Sequence, residues 1–188
     1  GNLTDVQNIS VTVTDVATVL TGNGIDVQNG QTQRSFVRNL DILFSDSTGL
    51  QNLIDHNRLK LTRFDLNGLN GVVVPVPVGT VNGMNIQLDF GIQGIGGNRN
   101  SNVGDGYYEL AVDSDENGSF ESIRHFFRLF GDVTGDGIVD SLDKIQVLNA
   151  NGTNSAESDV NGDPKHSVNS LDVTLMSRAM GKKVKNGL

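Results

Sequence analysis

The feature that most constrains the fold of this chain is a duplicated acidic segment in its last third. The stretch VDSLDKIQVLNANG, from Val139, aligns with VNSLDVTLMSRAMG, from Val168. Upstream, DVTGD from Asp132 aligns with DVNGD from Asp159, and the second copy has two extra residues before its Ser-Leu-Asp triplet. Acidic turns that merely begin helices seldom repeat in this way, so the duplication predicts two related structural units.

Each copy spaces its oxygen-bearing side chains as a calcium loop does. Calcium takes six to eight oxygen ligands at about 2.3–2.6 Å, and a loop of about twelve residues supplies them from alternating positions. The predicted ligands of the first loop, which has Gly137 at its sharp turn, are Asp132, Thr134 or a water in its place, Asp136, the carbonyl of Ile138, Asp140 and Asp143. Those of the second loop are Asp159, Asn161, Asp163, a carbonyl near Lys165, Asn169 and Asp172. The sequence therefore predicts Ca²⁺ as the cofactor.

The second loop departs from the first at its turn. Pro164 stands where glycine is expected, and the two inserted residues lengthen the path to Asn169 and Asp172. Three carboxylates rather than four attract the ion there. We expect either a weaker or a rearranged second site.

The last aspartate of each loop opens a short helix, predicted over residues 141–151 and 170–180 and closed by a glycine. A small two-helix core is predicted from Leu142, Ile145 and Leu148 facing Leu171, Leu175, Met176 and Met180. Such a core is too small to be stable alone, so bound ions are expected to contribute folding energy directly.

The remainder of the chain has the period-two pattern of strands. Apolar residues alternate in segments such as SFVRNLDILF, MNIQLDF, YYELAV and SIRHFFRLF, and turn residues separate about seven or eight such segments. This pattern predicts an antiparallel β-sandwich over residues 1–130, followed by the calcium-loop module over 131–188. Residues 8–14 predict an N-terminal strand that completes its own or a neighbouring sheet.

Two local irregularities in the strands carry predictions of their own. In RLKLTRFDL the apolar phase shifts between Leu61 and Phe64, which suggests a bulge. Pro75 and Pro77 cannot donate ladder hydrogen bonds, so GVVVPVPVG is expected at a sheet edge.

A third acidic loop precedes the tail. Its candidate ligands are Asp113, Asp115, Asn117, the carbonyl of Ser119 and Glu121. The closing position of a twelve-residue loop falls on Arg124, which cannot bind a cation. A plain hairpin turn around Asn117 and Gly118 explains the same residues, and both interpretations stay open.

Composition excludes several function classes. The net charge is −8 and no basic run is long enough to follow a phosphate backbone, so a nucleic-acid partner is not expected. Without cysteine the chain has neither disulfides nor a thiol site. No apolar stretch reaches the roughly 18 residues that span a bilayer. The three histidines are scattered, and no nucleophile and base motif is present, so we predict that the chain is not an enzyme.

The tail resembles a known family. Residues 131–181, through the repeated Asp-x-Thr/Asn-x-Asp and Asp/Asn-Ser-Leu-Asp patterns, resemble a dockerin module, which consists of two F-hand calcium loops each followed by a helix. QTQRSFVRNLDILFS and FFRLFGD are similar to C-terminal regions of planctomycete-type bacterial surface proteins, in which a β-sandwich precedes such a pair. NISVTVTDV is similar to the last strand of a cadherin-like repeat.

Partner choice in dockerins implies a departure in this chain. The residue pair after the ninth loop position helps select the cohesin partner, and the matching pairs are Ser141-Leu142 and Ser170-Leu171. Leucine replaces the usual hydroxyl residue, so ordinary cohesin recognition is not implied. The leucines are expected to pack within the module or against the sandwich.

Together these features predict a calcium-stabilised structural or adhesive module that is secreted, extracellular or on the cell surface. It would belong to a bacterial surface protein or form a filament subunit, with other protein subunits or a scaffold protein as partners. The alternative is a dockerin-anchored carbohydrate-binding module with glycans as ligands.

Overall fold

A computed structural model of the chain describes residues 18–19 and 24–185. In chain order the elements are β1 (Ile25–Val27), β2 (Asn39–Leu43), α1 (Leu50–Asp55), β3 (Leu59–Phe64), β4 (Val72–Val74), β5 (Thr80–Asn82), β6 (Asn85–Asp89), β7 (Gly106–Val112), β8 (Ser122–Arg128), α2 (Ser141–Ala150) and α3 (Ser170–Ala179). The predicted strand at 8–14, and its role in a neighbouring sheet, lie outside the described residues.

The chain is mostly β, as predicted, and its strands form two antiparallel four-stranded sheets. The strand orders are β1-β2-β6-β5 and β4-β3-β7-β8. Inward-facing side chains from both sheets belong to one main core, which includes Leu40, Ile42, Leu61, Ile86, Leu88, Leu110 and Phe126. Alternation along each strand places these apolar residues on one face.

The prolines mark a sheet edge, as the sequence predicts. Strand β4 lies at the end of the second sheet, paired only on its β3 side among the described strands. Pro75 follows directly after it. A residue without an N–H is tolerated there because no further strand needs its hydrogen bond.

The predicted bulge in β3 is wrong. The pairing of β3 with β7 runs without interruption from Leu59 opposite Val112 to Phe64 opposite Tyr107. Leu61 points into the main core, whereas Phe64 and Tyr107 join a second hydrophobic cluster formed with the tail. The phase shift therefore marks the place where the other face of the sheet becomes covered.

Helices α2 and α3 form where the repeat predicts them, and each ends one residue earlier. Asp140 caps α2 by accepting a hydrogen bond from the amide of Leu142, and Asn169 caps α3 through the amide of Leu171. Asp143 and Asp172 bond back to the backbone of these caps, which completes two capping boxes. Neither helix, nor α1, is long and apolar enough to cross a membrane.

The predicted two-helix core is wrong in most of its members. Leu142 keeps 57% and Ile145 keeps 53% of their surface exposed, and Leu148, Leu171 and Met180 are exposed as well. Leu175 and Met176 are buried as predicted, in a second core that contains Val133, Val139, Val147, Val160, Val168, Ala179, Tyr107, Leu129 and Phe130. The tail buries its helices against loop valines and the second sheet, so the opposite helix face stays in solvent.

Candidate metal centres

The first tail loop (residues 132–143) is organised around two fully buried carboxylates. Asp132 accepts hydrogen bonds from the amides of Gly135 at 2.6 Å and Gly137 at 2.9 Å. Gly137 has a φ of 83°, a conformation that favours glycine. Asp143 accepts from the amides of Val133 and Thr134 through one oxygen and, at 2.9 Å, from that of Asp140 through the other. Hydrogen bonds to these two side chains thus connect the start of the loop to its turn and to its end.

Burial raises the pKa of Asp132 to about 6, against the opposing effect of the hydrogen bonds from Gly137 and Gly135. The negative charges of Asp143 and Asp136 also raise it. An ionised carboxylate in this place carries a desolvation cost that a bound cation removes.

The remaining predicted ligands of the first loop have separate contacts. The Thr134 hydroxyl lies 3.0 Å from Asp143 Oδ1 and 3.3 Å from Asp132 Oδ1, between the two buried carboxylates. Asp136 accepts from the amide of Ile138, and Asp140 uses Oδ1 to cap α2. The Ile138 backbone also pairs with Lys183 in an isolated bridge.

The second tail loop (residues 159–172) buries Asp159, Asn161 and Asp172. Asp172 accepts hydrogen bonds from the amides of Val160 at 3.1 Å and Asn169 at 3.0 Å. Asp159 Oδ1 and Asn161 Oδ1 are buried and have no hydrogen-bond partner. Two unpartnered oxygens at predicted ligand positions lie two residues apart in one loop, and such groups are costly to bury.

The pKa of the first aspartate is shifted in the same direction in the second loop as in the first. Burial raises the pKa of Asp159 to about 6, and the charges of Asp172 and Asp163 act in the same direction. His166, with a φ of 52°, brings its Nδ1 to 3.3 Å from Asp159 Oδ2. The sequence does not predict this contact, because His166 lies in the segment that holds the two inserted residues, where the first loop has no counterpart.

The other predicted ligands of the second loop belong to its turn. Asp163 Oδ1 accepts from the amides of Lys165 at 2.7 Å and Ser167 at 3.3 Å. The Lys165 side chain is exposed. Asn169 uses its side-chain oxygen for the cap of α3 and donates its amide to the carbonyl of Ser167. Asp163 therefore shapes the turn, and Asn169 starts the helix.

The hairpin loop (residues 113–121) brings three carboxylates together. Oxygens of Asp113, Asp115 and Glu121 lie within 4.8 Å of one another, the only such acidic set within residues 18–19 and 24–185. Asp113 is buried, and the other two side chains are exposed. This triad could hold a metal ion. Asn117, also predicted as a ligand, instead donates its amide to Asp115 at 2.7 Å and accepts from the amide of Ser119.

A segment before β2 joins both tail loops to the sheets. The buried Ser35 hydroxyl donates to the carbonyl of Val160 at 2.6 Å and accepts from the amide of Gly131 at 2.9 Å. The amide of Arg34 donates to the carbonyl of Asp132. A Cβ on Gly162 would lie 2.0 Å from the ring of Phe36. The polar stretch QTQRS gave no sign of this role, because its partners lie about 100 residues or more away.

Comparison with known proteins adds no relative. No protein-family model matches the chain. No curated protein and no solved structure is significantly similar to it.

Proposed function

We propose that this chain is a calcium-stabilised extracellular structural or adhesive module: a β-sandwich carrying a dockerin-like pair of calcium loops. The proposal rests on the positions of the buried side-chain oxygens that have no hydrogen-bond partner. Among the described residues, the buried side-chain oxygens without a hydrogen-bond partner belong to Asp113, Asp159, Asn161 and Asp105. Asp105 faces Lys182 at 3.5 Å, and the other three are predicted ligands.

The donor set favours a hard cation. Predicted ligands in both tail loops are carboxylate, amide, hydroxyl and carbonyl oxygens, which suit Ca²⁺ and Mg²⁺ rather than Zn²⁺ or copper. Loops of irregular outline with several protein oxygens favour calcium, because Mg²⁺ needs near-octahedral geometry and keeps its waters.

Bound calcium would stabilise more than the loops themselves. Asp132 and Val160 are hydrogen-bonded through their carbonyls to Arg34 and Ser35, which precede β2. The valines that follow Asp132 and Asp159 belong to the core that the tail shares with the second sheet. Because an unfolded chain does not hold such a site, the binding free energy adds to the stability of the folded tail on its sheets.

Thermal unfolding in calcium and in chelator tests this role. One site at a free calcium concentration 100 times its dissociation constant stabilises by about 2.7 kcal/mol. We expect the melting temperature to fall on addition of EGTA and to recover with excess Ca²⁺ but not with equal Mg²⁺. A double variant, Asp136→Asn with Asp163→Asn, should lose most of the calcium response. Identical melting curves in calcium and EGTA would refute the proposal.

An exposed apolar helix face supports a role in assembly. Leu142, Ile145 and Leu148 on α2 are each more than 40% exposed, and Leu171 on α3 is similar. Apolar surface of this kind favours contact with other protein subunits, through self-assembly or a scaffold protein. Sedimentation with and without chelator tests it, with the Leu142→Ser, Ile145→Ser double variant as comparison. A monomer of unchanged mass in every condition would contradict assembly of this chain.

The alternative, a carbohydrate-binding module anchored by the tail, is favoured by one cleft. A cavity of about 510 Å³ lies beside β1 and β8, and its lining includes Asp26, Gln31, Arg34, His125 and Phe127. Polar groups beside aromatic rings suit a sugar ligand. A glycan array together with a cohesin pull-down tests this function, and absence of binding in both experiments would refute it.

A further inference from the structure

The geometry points to a calcium site in the hairpin loop, held by Asp113, Asp115 and Glu121 and separate from both tail loops. Strands β7 and β8 pair up to Val112 opposite Ser122. The loop between them therefore begins at Asp113 and ends at Glu121, so the ladder brings its two ends side by side. Asp115 turns back toward them, and oxygens of all three lie within 4.8 Å of one another. Two oxygens on opposite sides of a calcium ion are about that far apart.

The second, independent observation is an unpartnered oxygen on a buried side chain. The Asp113 side chain is 1% exposed. Its Oδ2 accepts from Arg58 at 2.9 Å and from the amide of Gly118 at 3.0 Å, while its Oδ1 is buried without a partner. A carboxylate oxygen removed from water needs a donor or a cation, and no protein donor reaches this one.

Charge at the site matches a divalent ion. Three carboxylates carry three negative charges, and Arg58 compensates one of them through Asp113. Two negative charges remain, which equals the charge of one Ca²⁺. The ligands are oxygens alone, which excludes the soft or imidazole-rich sites of copper and zinc.

A plain hairpin turn explains only part of this arrangement. The amide of Asn117 donates to Asp115 Oδ1 at 3.2 Å, and the Asn117 side chain accepts from the amide of Ser119 at 2.7 Å. These bonds shape the tip of the loop and need no ion. They do not account for a buried aspartate that has an oxygen without a partner.

Arg124 does not close this site. On β8 its guanidinium donates to the carbonyls of Ile123 at 2.8 Å and Val19 at 3.3 Å. Glu121 takes the closing role instead, three residues earlier than in a twelve-residue loop. The Glu121 Oε2 atom already accepts from the amide of Ser114 at 2.9 Å, which holds the carboxylate over the start of the loop.

Calcium here would fasten the hairpin tip to the turn before β3. Asp113 pairs with Arg58, and Glu116 lies 2.6 Å from His56 Nδ1. Both partners come from the short segment between α1 and β3. An ion bound to Asp113 thus connects β7, β8 and the entry to β3.

Calorimetric titration of the full chain with CaCl₂ tests the site. The variant Asp115→Asn with Glu121→Gln removes two of the three negative charges of the triad and leaves the Asp113–Arg58 pair in place. It should lose one equivalent of bound calcium. The matched control, Glu116→Gln, removes a charge from the same loop outside the triad and should keep that equivalent. Equal stoichiometry and affinity in wild type and double variant would overturn the proposal.

A second measurement separates this site from the tail. In a chain carrying Asp136→Asn and Asp163→Asn, the amide resonances of Ser114 and Gly118 should still shift on calcium addition and reach saturation. Adding Asp115→Asn and Glu121→Gln should abolish the shift. Absence of a shift in the tail-loop variant would refute the hairpin site, whatever the tail loops bind.

Saturation by Mg²⁺ at equal concentration would refute the assignment to calcium. Equal or higher stability of the hairpin variant in EGTA would show that it folds.

Discussion

The two tail loops share one sequence pattern but satisfy their buried oxygens differently. In the first loop, both oxygens of Asp132 accept backbone amides, from Gly135 and Gly137. In the second loop, the equivalent Asp159 has one oxygen near His166 and one without a partner. Helix caps and buried valines are alike in both copies. The repeated residues therefore give both loops the same helix caps and buried valines. The turn residues determine how many hydrogen-bond donors the first aspartate of each loop has.

Proline at the turn removes one of the two amide donors that the matching aspartate of the first loop has. Gly137 supplies an N–H to Asp132, whereas Pro164 occupies the matching position and has no N–H to give. In the second loop Asp159 Oδ2 instead lies 3.3 Å from His166 Nδ1, and Asp159 Oδ1 is buried without a partner. If the loops bind calcium as proposed, we expect the ion to stabilise the second loop, with its unpartnered oxygen, more than the first.

The largest expected effect comes from removing the carboxylate that closes each loop. Asp143 accepts from three amides and the Thr134 hydroxyl, whereas Asp172 is bonded to the amides of Val160 and Asn169. Since bonds to a charged group contribute about 1.5–3 kcal/mol each and are not additive, we expect Asp143→Ala to cost about 4 kcal/mol and Asp172→Ala about 3 kcal/mol. Urea unfolding in EGTA measures both. A larger loss of stability for Asp172→Ala than for Asp143→Ala would contradict this ranking of the two carboxylates.

A smaller effect is expected at the hydroxyl that both loops share. Ser35→Ala removes the donor to Val160 and the acceptor for Gly131, and leaves two buried backbone groups unsatisfied. We expect a loss of about 2 kcal/mol. Because the contact serves both loops, the loss should be similar with and without calcium, as followed by thermal unfolding. Thr18→Ala, at an exposed hydroxyl bonded to Ser45, is the control and should change stability little.

The sequence predicts the parts of the tail that local chemistry determines. Capping by Asp140 and Asn169, and the helices after them, need only neighbouring residues, and the repeat identifies them. The apolar face of α2 could not be assigned in this way. Leu142 and Val147 are both apolar, and only the position of the second sheet decides that Val147 is buried. Ser35 and Arg58 reach their partners across the fold, so no spacing along the chain reveals them.

The pH dependence of chelated protein tests what the loops have in common. Burial raises the pKa of Asp132 and Asp159 to about 6, above the value near 4 in an unfolded chain. The folded state then binds more protons than the unfolded state between those values, so its stability decreases as the pH rises from about 4 to 7. Unfolding in EGTA should show this decrease. Asp132→Asn and Asp159→Asn should each reduce it, and a stability that rises over this range would contradict the assignment.

The smallest expected effect is at the proline itself. Pro164→Ala restores an N–H at the position from which Gly137 donates to Asp132 in the first loop. A hydrogen bond to a charged group contributes about 1.5–3 kcal/mol, and loss of proline costs about 0.4–1 kcal/mol through the unfolded chain, so chelated protein should gain about 1 kcal/mol. Pro75→Ala, outside the loops, controls for the unfolded state. Calcium should then stabilise Pro164→Ala less than the wild type, because the added amide gives Asp159 a donor that the wild type lacks. An unchanged calcium response, alongside equal stability of the two proline variants in EGTA, would show that the missing N–H does not set the difference between the loops.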